Sequence, residues 1–354
     1  MSDLKNKDFL YSILKIASPS GYEYDVQKHI MKEMKGYADK VYTHHNYNVI
    51  HAINPDSKMK VLLSGHVDEI GLVIEEINNN GTCRLTNTGG IRPYVYLGQH
   101  VNVYARDFEG NVNIVPGVIG YLPQMGSREI KVNDLILDLG VDSKEEAEKL
   151  VTIGDSVIHS SDYVELAGGK LAARALDDRL GAFICLEAMK RVKERGGKNG
   201  VYVSTTVGEE TTGRGAIAAA QQINPTCSII VDVTYASDIN YRENLTNPVS
   251  LGKGPALTRG SLINDKMERL IVKTAKELNM NVQFEIASSR TYTDLDNIFS
   301  RHNGIPCYLI SIPLRYMHSS VEVCDLNDVE EIIELIATFI MNLDENTNFN
   351  LLEE

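Results

Sequence analysis

Residues 60–71 read KVLLSGHVDEIG, and the order of residue types in that stretch decides the fold. A short apolar run, KVLLSG, has the makings of a strand buried on both faces, and polar residues, His66 and Asp68, begin where it stops. Three further runs repeat the pattern: VYVSTTVG (201–208), SIIVDV (228–233) and PCYLISIP (306–313), each bounded by Gly, Pro or polar residues. Between the runs lie helical periodicities. Residues 3–17 place Leu10, Ile13, Leu14 and Ala17 on one face, and Ser20 with Glu23 fits a capping box opening a second helix through about residue 36. Further helices are expected near 179–195, 213–222, 262–278 and 326–342. Strands alternating with helices predict an α/β fold with a mostly parallel central sheet flanked by helices.

The stretch from 72 to 165 follows another rule. Short strand-like pieces are separated by Asn78-Asn79-Asn80-Gly81, Gly89-Gly90, Glu109-Gly110 and Pro116-Gly117, the punctuation of a small β-barrel-like domain. The α/β pattern occurs on both sides of it, so the expected organisation is an α/β domain of residues 1–71 and 166–354 with a β domain, 72–165, inserted. A helix at 143–150, SKEEAEKL, decorates the insertion.

Composition agrees with an ordinary globular chain. Its 354 residues favour about two domains at roughly 150 residues each. Apolar residues make up 43%, and no segment approaches the roughly 20 apolar residues of a membrane span. The opening segment, MSDLKNKDFLYSILKIASPSG, mixes charges into its apolar positions and lacks the apolar core and cleavage site of a secretory leader, so a cytoplasmic location is expected. A net charge of −13 argues against nucleic acid or an anionic membrane as partner. The five cysteines are scattered without CxxC or Cys/His spacing and are expected to be buried free thiols.

In open α/β sheets ligands gather beyond the carboxyl ends of the strands. The residues found there are His66 and Asp68, Glu209 and Glu210, Asp232, and His318; Asp177 and Asp178 stand at the start of a helix in ALDDRLG. Singly, each has an ordinary explanation. A lone His after a strand is more often a hydrogen-bonded core or surface residue, Glu209-Glu210 a solvated pair, and Asp177-Asp178 a cap and first-turn acid. Together they form a set of imidazoles and carboxylates that suits zinc, cobalt or manganese, with no thiol nearby to suggest a structural zinc site.

GHVDEIG (65–71), RALDDRLG (174–181), VGEETTGRGA (207–216), VDVT (231–234) and IPLRYMHSSVEVCDLNDVE (312–330), in that order, resemble the glutamyl and tetrahedral aminopeptidase family of dinuclear metallopeptidases. GGIRPYVYLGQHV (89–101) and GVIG (117–120) are similar to that family's inserted β domain. The resemblance implies two divalent cations, zinc or cobalt with manganese acceptable, on His66, Asp177, Glu210, Asp232 and His318. Asp177, rather than Asp178, is implied to bridge them. It further implies that Asp68 orients His66, that Glu209 is the general base, and that the substrates are peptides with a free amino terminus. Dimers formed through the β domain, closing into a homo-oligomeric dodecamer, are also implied; the chemistry itself is expected not to need the β domain. Four departures touch pocket shape: Gly208 before the Glu pair, Thr211-Thr212 after it, Tyr292-Thr293-Asp294 in place of a Gly-Thr-Asp motif, and Gln124 after Pro123.

Two other readings compete. A glycoside hydrolase would use two carboxylates for acid/base work, but needs neither His66 nor His318, and the chain has no Trp to stack a sugar. A non-catalytic metal-binding homologue would be expected to have lost a ligand or the base, and none is lost.

Overall fold

The computed structural model describes residues 4–120, 129–239 and 248–353. The four apolar runs become the middle of one sheet. In chain order the strands are β1 (Lys40–Thr43), β2 (Val49–Ile53), β3 (Lys60–His66), β4 (Gly71–Ile77), β5 (Cys83–Thr88), β6 (His100–Arg106), β7 (Val112–Ile119), β8 (Ile136–Asp138) and β9 (Ser156–His159). They continue with β10 (Val164–Leu166), β11 (Lys170–Ala173), β12 (Gly200–Thr206), β13 (Cys227–Tyr235), β14 (Ala256–Gly260), β15 (Gln283–Ala287), β16 (Cys307–Leu314) and β17 (Glu322–Asp325). The main sheet has the order β1-β2-β12-β3-β13-β16-β14-β15. Its centre, β12-β3-β13-β16, is parallel throughout. Antiparallel pairings of β2 with β12 and of β14 with β16 extend it on either side.

Alternation along the central strands divides two apolar layers. Val61 and Leu63 of β3 and Ile229 and Val231 of β13 face one layer, built with α1 (Lys7–Leu14), α4 (Leu176–Glu194), α6 (Asp265–Glu277) and α8 (Leu326–Asn342). Leu62 and Ile230 face the other, under α5 (Arg214–Ile223) and α7 (Leu295–Ile298). Burial on both faces explains why β12 and β16 are buried along their whole length.

Strands β4-β5-β8-β7-β6-β9 close into a barrel with its own core, in which Leu72, Leu85, Val103, Leu137 and Val157 are all buried. The expected α/β sheet with an inserted small barrel is therefore found. Strands β10, β11 and β17 form a separate three-stranded sheet. Among the described residues no helix is long and apolar enough to cross a membrane, and all five cysteines are buried and unpaired.

Several local expectations are corrected. Helix α1 stops at Leu14, short of Ala17, because Pro19 disfavours helical backbone at Ser18, whose N–H is taken instead by Glu69 Oε1 at 2.8 Å. Ser20 forms no capping box. Its hydroxyl pairs with Thr211 at 2.8 Å, and α2 (Tyr24–Glu33) starts from Glu23, whose carboxylate accepts the Gly21 N–H and an Arg214 N–H. Pro116-Gly117 is not a turn. It lies inside β7, which pairs with β6 along its length but with β8 only at Val118 and Ile119, so the missing Pro116 N–H breaks no ladder. The 143–150 helix is one turn, α3 (Lys144–Ala147), capped by Ser143. Pro123 and Gln124 lie outside the described residues.

Candidate metal centre

Parallel pairing of β12, β3 and β13 brings their carboxyl ends to one edge, and the polar residues that follow them meet there. His66 ends β3 and is buried. Its Nε2 lies 3.1 Å from Asp177 Oδ1 and 3.9 Å from Glu209 Oε2. On the other side of the ring, Nδ1 lies 3.1 Å from the Asp68 carbonyl oxygen and 3.4 Å from Asp68 Oδ1. His318, in the loop between β16 and β17, turns its Nε2 to Asp177 Oδ2 at 3.1 Å and to Glu210 Oε1 at 3.4 Å. One carboxylate, that of Asp177, thus stands between two imidazoles with one oxygen toward each.

Among the described residues, two groupings of side chains are close enough to share an ion. His66, Asp177 and Glu210 form one, and His66, Asp178 and Asp232 the other, their ligand atoms lying within 4.8 Å of one another. Asp178 is otherwise engaged. Its Oδ2 accepts the His66 N–H at 3.1 Å and its Oδ1 the Gly181 N–H at 3.0 Å, so its carboxylate ties β3 to the first turn of α4. Neither Asp177 nor Asp178 has helical backbone, which lets Asp177 point into the centre rather than along the helix.

The Glu pair is set by Asp68, whose two oxygens accept the N–H groups of Glu209 at 3.0 Å and Glu210 at 3.3 Å. Asp68 therefore contacts His66 and both glutamates. Gly208, one of the departures in the sequence, has φ +64°, and a side chain there would collide with the Arg214 guanidinium. Asp294 is buried with Oδ2 accepting the hydroxyls of Ser64 at 2.8 Å and Thr206 at 2.5 Å, while Oδ1 has no hydrogen-bond partner among the described residues.

The sequence reading missed Glu322. This buried acid in β17 accepts the Asp177 N–H at 3.2 Å and the His318 N–H at 2.8 Å, joining the two segments from below. Its signal was an acid at an inward position of a strand whose next inward residue is Cys324, visible only once the strand is placed.

Buried acids outnumber the bases here, and their proton affinities show it. Burial pushes Glu209 up to about 10, with Asp232, Asp294 and Glu210 adding to the push and His66 opposing it. Burial likewise raises Asp232 well above the carboxylate range, helped by Asp178 and Asp177. Asp177 differs. Burial raises it, but hydrogen bonds from His318 and His66 prevail and hold it below the ordinary range. A buried cluster with this excess of carboxylates is compensated by protons or by cations, and a donor set of imidazole nitrogens and carboxylate oxygens fits divalent cations of the zinc, cobalt and manganese kind. The cluster opens onto a cavity of about 1030 Å³ whose lining includes Thr212, Tyr235, Arg290 and Tyr292.

Residues 48–335 match the M42 glutamyl aminopeptidase family. Among curated proteins, a lysyl aminopeptidase of Pyrococcus furiosus is 30% identical over 345 residues, covering 95% of this chain and 97% of the relative. Among solved structures, the TET aminopeptidase from the marine sediment archaeon Thaumarchaeota archaeon SCGC AB-539-E09 superposes with a TM-score of 0.89 at 29% identity, over 96% of this chain and 98% of that one. The Pyrococcus horikoshii TET1 peptidase, described as assembling into a tetrahedron or a large octahedral shell, has a TM-score of 0.83 at 29% identity, over 95% and 99%. With the match spanning most of the chain and the fold shared along its length, this protein belongs to the M42 glutamyl aminopeptidase family.

Proposed function

We propose that this chain is a metal-dependent aminopeptidase whose centre takes two divalent cations. His66 and Asp232 would hold one, His318 and Glu210 the other, and Asp177 would serve both. The observation that carries the proposal is the Asp177 carboxylate, with one oxygen 3.1 Å from each of two imidazole Nε2 atoms. Zinc and cobalt suit the donor set best, and manganese accepts it. When bound, two such cations polarise a peptide carbonyl and make a water acidic enough to ionise near neutral pH.

The chain's own residues supply the rest. Glu209, beside His66 and open to the cavity, takes the proton from the attacking water and returns it to the leaving amine as the peptide bond breaks. Asp68 keeps Glu209 aimed by holding its backbone N–H. The acid-rich floor of the cavity attracts the free amino terminus of a peptide and limits cleavage to its first residue. We extend the proposal to assembly: the barrel mediates dimerisation, and dimers close into a tetrahedral dodecamer, an assembly of the kind described for the Pyrococcus horikoshii peptidase.

The test is hydrolysis of aminoacyl-p-nitroanilides by chelator-stripped protein with and without zinc, cobalt or manganese, beside N-acetylated controls. Metal-restored cleavage of the free-amine substrates alone is expected. Cleavage that survives chelation, or that accepts the acetylated substrates equally, would overturn the reading.

A further inference from the structure

The expectation that the barrel is unnecessary for the chemistry meets a contrary geometry. Strand β5 ends at Thr88, and Gly89-Gly90 carries the chain from the barrel to the edge of the metal centre. There the Gly90 carbonyl oxygen lies 2.9 Å from His318 Nδ1. A carbonyl can only accept, so Nδ1 carries the hydrogen, and the neutral ring must then offer its lone pair at Nε2, the atom facing Asp177 and Glu210. Fixing the tautomer and the ring plane of a ligand histidine is the work of such an outer partner.

The fit is close. A Cβ on Gly90 would stand 3.1 Å from His318 Cε1 and 3.2 Å from Nδ1, tighter than ordinary contact. One on Gly89 would reach Ile70 at 2.5 Å and Glu210 Cβ at 3.4 Å. Two residues on, Arg92 donates to the Tyr235 hydroxyl at 3.2 Å. Tyr235 ends β13, the strand that carries Asp232, so the barrel loop is anchored on the sheet that it serves. His66 has no comparable dependence, because its Nδ1 partner is Asp68, two residues away in the same segment.

We infer that the inserted barrel is a working part of the metal centre: the Gly90 carbonyl selects the tautomer and sets the ring plane of His318, and through it controls the cation position that His318 serves. Gly90 is thus a positioning residue. The inference rests on reading His318 as a ligand, and the test separates the two.

Cation binding is measured by titrating chelator-stripped protein with Co2+, counting ions per chain and fitting the two affinities, for wild type, Gly90→Ala, Arg92→Ala and Gly120→Ala. Gly90 does not need positive φ, so alanine there crowds the ring without straining the backbone, and Gly120, just after β7 of the barrel, has nothing among the described residues within 4 Å of its Cβ position apart from its chain neighbours. Gly90→Ala is expected to bind its first cation as wild type does and its second about 10–100-fold more weakly, the range for a lost outer partner. Turnover should recover when Co2+ is raised. Arg92→Ala weakens the same site less, and Gly120→Ala changes neither. If Gly90→Ala folds and holds both cations at wild-type affinity, the inference is overturned. If it fails to fold, Arg92→Ala decides, and an unchanged second affinity there overturns the inference. Fewer than two cations on wild type would instead overturn the two-metal reading, whatever Gly90 does.

Discussion

The two imidazoles of the centre are held in opposite ways. His66 closes a central strand with its side chain 2% exposed, its Nδ1 faces Asp68 of the same tripeptide, and its N–H is fixed by Asp178. His318 sits in a loop at φ +65°, its side chain 20% exposed, with its N–H on Glu322 of β17 and its Nδ1 on Gly90 of the barrel. The Nδ1 partner of His66 is its neighbour in sequence, whereas that of His318 comes from the barrel, 228 residues away. A site built this way has a rigid side and an adjustable side, and variants should tell them apart.

The largest effect is expected at Glu209, beside the buried imidazole of His66. Glu209→Gln keeps the shape and the ligand set but cannot accept the proton, so both cations should still bind while turnover drops by roughly 10²–10⁴-fold. Cation counting and steady-state kinetics check this, and near-normal turnover would remove Glu209 from the base role.

The next contrast is between the histidines themselves. His66→Ala takes the buried imidazole from Asp68 and leaves Asp177 with His318 alone, and breaking a buried pair in this way costs roughly 3–5 kcal/mol. His318→Ala empties a partly exposed loop position and should cost the metal-free protein distinctly less. Thermal melts of both chelator-stripped variants decide, and equal losses would erase the distinction between the halves.

A smaller effect compares the main sheet with the barrel. His51 in β2 and His159 in β9 are buried with no hydrogen-bond partner for either ring nitrogen among the described residues, and burial lowers each to about 4. The unfolded chain takes up these protons near pH 6.5 and the folded chain only near pH 4, so stability is full above about pH 6.5 and falls as pH drops through that window. Each histidine adds a slope of at most about 1.4 kcal/mol per pH unit. Denaturant melts of His51→Phe and His159→Phe between pH 7 and 4 should show a shallower loss than wild type; an unchanged slope would mean that neither histidine is kept neutral by its surroundings.

The same contrast explains what could be read before the structure. The four central strands announced themselves because burial on both faces leaves a continuous apolar run, and the polar residues at their ends marked the edge where His66, Glu209, Glu210 and Asp232 meet. Helices α4, α5, α6 and α8 were legible from their periodicity to within a few residues. The Ser20 capping box failed because a hydroxyl that suits a cap found Thr211, almost two hundred residues away, instead. Glu322 and Gly90 were illegible for a related reason: one acts by accepting backbone N–H groups and the other by a carbonyl every residue possesses, so neither carries a chemical label. Glu69 belongs with them, since its ion pairs with Arg174 and Arg179 hold the segment after β3 in place.

In the proposed centre Asp177 would serve both cations, while Asp178 is engaged with backbone N–H groups. Counting the cations bound per chain by chelator-stripped wild type, Asp177→Asn and Asp178→Asn after saturation with zinc and dialysis tests it most directly. The expected result is two for wild type, two for Asp178→Asn, and one or none for Asp177→Asn. Two cations on Asp177→Asn, or their loss from Asp178→Asn alone, would contradict it.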